Sequence, residues 1–215
     1  MAPVSDPDPE DRQPPPGRAQ GLVARSGAVV YEEGRSLFDE PVLVYLGWSN
    51  GGSRVRFAVQ NHVGQSRGWC RVEPGRGLAV NLATELFDVG PAPVLRVRPR
   101  PFRPRRRYRI EGVAAAVVNS SLGGRELSLE ADGERLGLLR GSGLRGVNAA
   151  EVEILDHTDR RVGRIWTGRE RVGPLSRAQS YVLDVEPGLR GELRRLLAAA
   201  PVVIESIRRA KARSG

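Results

Sequence analysis

From about Val29 the chain alternates short apolar stretches with Gly, Pro, Asn and Asp. VLVYLGW (Val42–Trp48) runs into Ser49-Asn50-Gly51-Gly52, which is strong turn chemistry. RVRFAVQ (Arg54–Gln60) then alternates, placing Val55, Phe57 and Val59 on one face. Together the two stretches predict a β-hairpin. The same texture recurs in GWCRVE, GLAVNLA, PVLRVRP, RYRIEGV, AAAVVNS, RELSLEA, ERLGLLR, AEVEILD, RRVGRIW and SYVLDVE, with turn signals such as Asp132-Gly133 and Gly123-Gly124 between them. About a dozen short strands at this spacing predict a mainly β protein, a sandwich or a barrel.

The pattern changes only after Pro187-Gly188. Leu189, Leu193, Leu196, Leu197, Ala200, Val203, Ile204 and Ile207 recur at helical spacing, predicting a helix over about 189–210. Between Leu196 and Ile204 this helix is apolar on every side, so it is buried in something. The apolar run is roughly nine residues, whereas a bilayer span takes about 20. Pro201 would cost about 3 kcal/mol in a helix interior unless a kink is accommodated. A membrane span is therefore the weakest reading. A helix enclosed by the preceding strands is the strongest, because a barrel of this many strands needs a filling.

Composition adds a boundary and a charge. Residues 1–25 are rich in Pro and Asp and poor in large apolar side chains, so they read as a disordered leader, with residues 26–212 as one folded domain. Asp6, Asp8, Glu10 and Asp11 make the leader acidic. The whole chain carries a net charge of +9, almost all of it arginine; Lys211 is the one lysine. Such basicity fits nucleic acid or anionic lipid, but an Ala-, Gly-, Pro- and Val-rich chain also fits GC-rich codon usage. Cys70 is alone, so no disulfide framework is expected and a reducing, cytoplasmic setting fits.

The densest feature is RVRPRPFRPRRRYR, with Arg98, Arg100, Arg103, Arg105, Arg106, Arg107 and Arg109 around Phe102 and Tyr108. Pro99, Pro101 and Pro104 withhold backbone donors, so the stretch is expected as an exposed loop or edge. Guanidinium groups match phosphate oxygens bidentately. Nucleic acid is disfavoured, because aromatics are 5% of the chain and no stacking platform or recognition-helix pattern stands out. Catalysis is not expected. His62 and His157 are the only histidines, Asp156, His157 and Asp159 fit a polar turn, and no P-loop, H-E-x-x-H or C-x-x-C occurs. Trp48, Trp69 and Trp166 are expected as core or rim packing.

From Leu37 to Ala210 the chain resembles the tubby C-terminal-like superfamily, in the branch of phospholipid scramblases and plant LURP-one-related proteins. SLFDEPVLVYLGW resembles the first strand of that family, and VRFAVQNHVGQSRG its strand–turn–strand unit. EVEILDHTDRRVGRIW resembles its late hairpin, with Val162, Gly163, Arg164 and Ile165 intact. SYVLDVEPGLRGELRRLLAAAPVVIESI resembles the closing strand and terminal helix, with Glu205 where the family often has aspartate. The resemblance implies a closed barrel of about twelve strands with the C-terminal helix through its centre. It also implies lipid headgroups as partners, since tubby proteins bind phosphoinositides through a basic patch.

Two departures bear on function. Where scramblases carry an acidic loop proposed to hold calcium, this chain has Arg177-Ala178-Gln179-Ser180-Tyr181, without the carboxylates calcium needs. The cysteine-rich segments of animal scramblases are missing too. The sequence therefore points to a non-enzymatic domain, without metal or cofactor, that binds anionic phospholipid reversibly or acts as a scaffold at the membrane periphery. The alternative is a protein-interaction or regulatory module without a lipid role; calcium-dependent scrambling and nucleic-acid binding rank below both. The oligomeric state is not legible.

Overall fold

The structure is a computed structural model and describes residues 17–29, 34, 36–49, 55–73, 83–88, 90–100, 107–113, 116–120, 126–141, 151–171 and 177–212. Its strands are β1 (Val42–Ser49), β2 (Val55–Asn61), β3 (Ser66–Glu73), β4 (Ala83–Phe87), β5 (Pro93–Arg100) and β6 (Arg107–Glu111), continued by β7 (Ala116–Ser120), β8 (Glu126–Ala131), β9 (Glu134–Arg140), β10 (Glu151–Asp156), β11 (Arg161–Arg171) and β12 (Arg177–Val185). Each pairs antiparallel with its neighbours in the chain. β1 also pairs with β12, from Val42 opposite Asp184 to Leu46 opposite Ser180, and so closes the ring. Closure leaves no unpaired sheet edge.

The alternation of the strands sorts their side chains. Leu43 and Tyr45 of β1, Leu127 and Leu129 of β8, and Tyr181, Leu183 and Val185 of β12 all join one interior core. The rest of that core is supplied by a helix, α2 (Gly191–Ala212). Leu196, Leu197, Ala198, Ala199 and Ala200 are all buried, although five consecutive residues face every direction round a helix. Such burial requires walls on all sides. With Leu193, Val203, Ile204 and Ile207 also buried, every apolar position assigned to the enclosed helix except Leu189 lies within it. Gly137 of β9 marks a close approach: a Cβ there would lie 2.6 Å from the Leu155 carbonyl and 3.0 Å from Leu193 Cδ1.

Pro201 sits within α2 and withholds the N–H that would reach back to the Leu197 carbonyl. The hydroxyl of Tyr45, fully buried, donates to the neighbouring Ala198 carbonyl at 2.7 Å. Burial pushes the Tyr45 phenol well above its ordinary pKa, with the nearby Cys70 acting the same way, so the donor proton stays in place. Tyr45→Phe is expected to lower stability to urea by about 1 kcal/mol, the net contribution of a typical buried hydrogen bond. An unchanged urea midpoint would remove this role from Tyr45.

The sequence reading placed all of residues 1–25 in a disordered leader; the structure corrects this. A helix, α1 (Arg18–Ser26), lies on the outside of the barrel with Ala19, Leu22 and Val23 buried. They cover Val42, Val44 and Leu46 of β1 and Val182 of β12, with Trp166 and Ala58 alongside. Spacing of i, i+3 and i+4 gives the helix one apolar face. That cover is why β1 is a continuous apolar run rather than an alternating one: both of its faces are buried. Arg164 of β11 fastens the end of α1, donating to the Gly27 carbonyl at 2.5 Å and to Asp184 at 3.2 Å. Residues 1–16 lie outside the described residues.

Candidate functional site

The outer wall across β3, β4, β5 and β6 carries charge in rows set by strand register. In the first row, Arg71 stands opposite Glu85, Glu85 opposite Arg96, and Arg96 opposite Glu111. Glu85 accepts from Arg71 at 2.5 Å and from Arg96 at 2.7 Å. Burial alone would raise its pKa, but the hydrogen bonds from Arg71 and Arg96 outweigh burial and hold it below the usual carboxylate range. The Arg71 guanidinium also lies 5.6 Å from the centre of the Phe87 ring, which stacks on Trp69 at 3.8 Å. This row is internally balanced.

The next rows are not. Arg98 of β5 stands directly opposite Arg109 of β6, and Arg100 directly opposite Arg107. Like charges facing each other across a ladder destabilise it. Arg98 reaches Glu111 at 3.4 Å, while Arg109 is exposed and makes no ion pair among the described residues. Beyond Arg109, the ladder continues to Val117 and then to Glu130, so the next carboxylate along the row is two strands away. Of the seven arginines singled out in the sequence, four are thus gathered on one hairpin; Arg103, Arg105 and Arg106 lie outside the described residues.

Of the loop or edge expected around Pro99, the structure shows an edge: Pro99 lies in strand, opposite Tyr108, whose ring joins the interior core. The last described pairing of β4 with β5 is Thr84 opposite Val97, so proline falls where β4 no longer accompanies β5. The expectations for Pro101 and Pro104 lie outside the described residues.

Two buried polar clusters escaped sequence reasoning. At one mouth of the barrel the carboxylate of Glu40, fully buried, accepts from Arg67 at 2.5 Å, from Asn61 at 3.5 Å and from the Gly34 N–H at 3.2 Å. Arg194 of α2, also buried, donates to the Glu40 backbone carbonyl and to that of Leu37 at 3.4 Å. Burial lowers the pKa of Arg194, against the opposing pull of Tyr45, Asp39 and Glu40. Further along α2, Tyr181 donates to Glu205 at 2.6 Å and Arg208 donates to the same carboxylate oxygen at 2.7 Å. The available signal was a charged residue at each of these helical positions, Arg194, Glu205 and Arg208, beside an otherwise apolar run.

The chemistry-bearing residues outside these clusters read as structure. Asp156 accepts from the Thr158 hydroxyl at 2.6 Å and from the backbone N–H groups of Thr158 and Arg160 at 2.9 and 3.1 Å. Led by the Thr158 hydroxyl, these bonds hold its pKa down to about 2 and make Asp156, His157 and Asp159 a hairpin turn between β10 and β11. Gly64-Gln65-Ser66-Arg67-Gly68 spells G-x-S-x-G, against the expectation that the chain carries no such pattern. It links β2 to β3, not a strand to a helix, so Ser66 lacks the nucleophile-elbow context. Burial raises the pKa of the Cys70 thiol, which leaves it inert. The Arg177–Tyr181 stretch is strand β12, and no cluster of metal-ligating side chains occurs among the described residues. Trp69 and Trp166 are partly buried packing residues; the Trp48 side chain lies outside the described set.

Fold and site together define a mainly β protein, filled by its own terminal helix, that bears an unbalanced arginine hairpin on its exterior. No described helix is long and apolar enough to cross a membrane. Compared with protein-family models, curated proteins and solved structures, the chain matches none.

Proposed function

We propose that this chain is a tubby-like domain of the scramblase and LURP-one-related type that binds anionic phospholipid headgroups reversibly and without catalysis, at the cytoplasmic periphery of a membrane. One observation carries the reading: Arg98 opposite Arg109 and Arg100 opposite Arg107 on a single hairpin. Like charges set opposite each other on a ladder oppose pairing, and an anionic surface relieves that opposition. Guanidinium forks suit phosphate oxygens. Each arginine near an anionic membrane contributes about 1 kcal/mol, so four support reversible attachment and not permanent anchoring. The absence of carboxylates from Arg177 to Tyr181 favours binding without calcium.

In co-sedimentation with phosphatidylserine-containing vesicles, replacing Arg98, Arg100, Arg107 and Arg109 by Ser is expected to weaken binding by at least about a hundredfold. The urea midpoint should hold or rise, since the substitutions remove like-charge pairs. Vesicle binding equal to that of the parent would exclude this hairpin as the site.

A further inference from the structure

One joint in the ring differs from the others. Every other pairing joins strands that follow each other in the chain, whereas β1 and β12 meet with most of the chain between them, Val42 lying opposite Asp184. Parting β1 from β12 therefore opens the ring and leaves each hairpin intact.

α1 lies across that joint. Its apolar face covers Val42, Val44 and Leu46 of β1 and Val182 of β12. Leu22 reaches one strand further, since a Cβ on Gly168 of β11 would lie 3.3 Å from Leu22 Cδ2. The polar ties also fall on both sides. Arg18 donates to the Gly47 carbonyl of β1 at 3.4 Å, and Gln20 to the Val63 carbonyl just after β2 at 3.2 Å. On the other side Arg164 of β11 donates to the Gly27 carbonyl at 2.5 Å, and the Val29 N–H donates to Asp184 of β12. The start of α1 is thus tied to the β1–β2 hairpin, and the backbone just after it to the β11–β12 hairpin.

The helix has little stability of its own. Gly17 gives it no side-chain cap, its first turn holds no acidic residue, and Gly21 lies at its centre. Its order depends on the strands beneath it. Inside the barrel those same strands hold α2. Tyr45 and Tyr181 stand directly opposite each other across the joint. Tyr45 donates to the Ala198 carbonyl and Tyr181 to Glu205, so parting the strands separates the two attachments of the enclosed helix.

We infer that α1 is a clasp across the β1–β12 joint. Docked, it holds the ring closed around α2; detached, it lets the ring open there, so that capture of α1 from outside acts on the helix within. The clasp is independent of the arginine hairpin on β5–β6 and of what that hairpin binds.

Amide hydrogen exchange of the full chain tests the clasp. Residues 42–46 and 180–184 are expected to exchange faster than β8, which stays paired when the joint opens. Leu22→Ala should speed exchange of both segments by at least about tenfold, because the joint opens only after α1 leaves. Gln20→Ala removes one exposed tie and should speed it about threefold, so the result does not depend on Leu22→Ala folding. Exchange of both segments left unchanged by the two substitutions would show that the joint opens beneath a docked α1, and would overturn the inference. Equal protection of these segments and β8 in every form would show that the ring opens only by complete unfolding, and would overturn it too.

Discussion

Leu197→Arg is expected to yield no folded protein. Leu197 is fully buried in the second turn of α2, within a core built from the inner faces of the barrel wall. A guanidinium there adds volume to a closed space and a charge without a partner, and both effects are strongly unfavourable. The same helix shows what an arginine needs in order to be buried: Arg194 is held at the barrel mouth by the carbonyls of Leu37 and Glu40. Position 197 is one turn deeper, among apolar side chains. Leu197→Ala, by comparison, leaves a cavity and should cost about 2–5 kcal/mol while the protein still folds. Circular dichroism and urea titration of the two variants separate these outcomes. A folded, monomeric Leu197→Arg protein would contradict the enclosed helix.

The second large effect is expected at Glu40. Its carboxylate collects Arg67, Asn61 and the Gly34 N–H, and its own backbone carbonyl receives Arg194. Glu40→Ala leaves the Arg67 guanidinium, only 19% exposed, without its carboxylate, and removes the acceptor of the Gly34 N–H, while Asn61 keeps its bond to Gln65. Breaking a buried ion pair from one side costs about 3–5 kcal/mol. Glu40→Gln keeps an acceptor oxygen and should cost less. Urea midpoints in the order parent, Gln, Ala are the expected result. Equal midpoints for parent and Ala would show that this cluster does not hold the segment before β1 against the barrel mouth.

How far the sequence could be read depends on where the information lies. The β1–β2 hairpin was legible because alternation and a Ser-Asn-Gly-Gly turn are local signals. So was α2, whose all-round apolar run could only be buried; it begins at Gly191, two residues beyond the predicted start, after the Pro187-Gly188 turn. Of GLAVNLA only Ala83 lies among the described residues; β4 runs on from it through Thr84-Glu85-Leu86-Phe87, where Arg71 and Arg96 flank a carboxylate that local pattern alone does not assign to a strand. The pairing of β1 with β12 has no signal in either strand alone. α1 was hidden by its setting, since nine residues with Gly21 at their centre have little intrinsic helicity and form against an apolar strip supplied by distant strands.

The candidate site divides in the same way. Arginine density is a property of composition, and the sequence alone shows it in this stretch. What sets four of those arginines face to face is register, Arg98 against Arg109 and Arg100 against Arg107, and register is fixed by pairing.

The central claim is that anionic lipid is the partner, and co-sedimentation of the parent protein tests it most directly. Neutral, phosphatidylserine-containing and phosphoinositide-containing vesicles should be compared at low and physiological salt, with and without calcium. The predicted result is binding to the anionic vesicles alone, retained in part at physiological salt and unaffected by calcium. No binding to any vesicle at physiological salt would contradict the claim and turn the search to a protein partner for the same arginines.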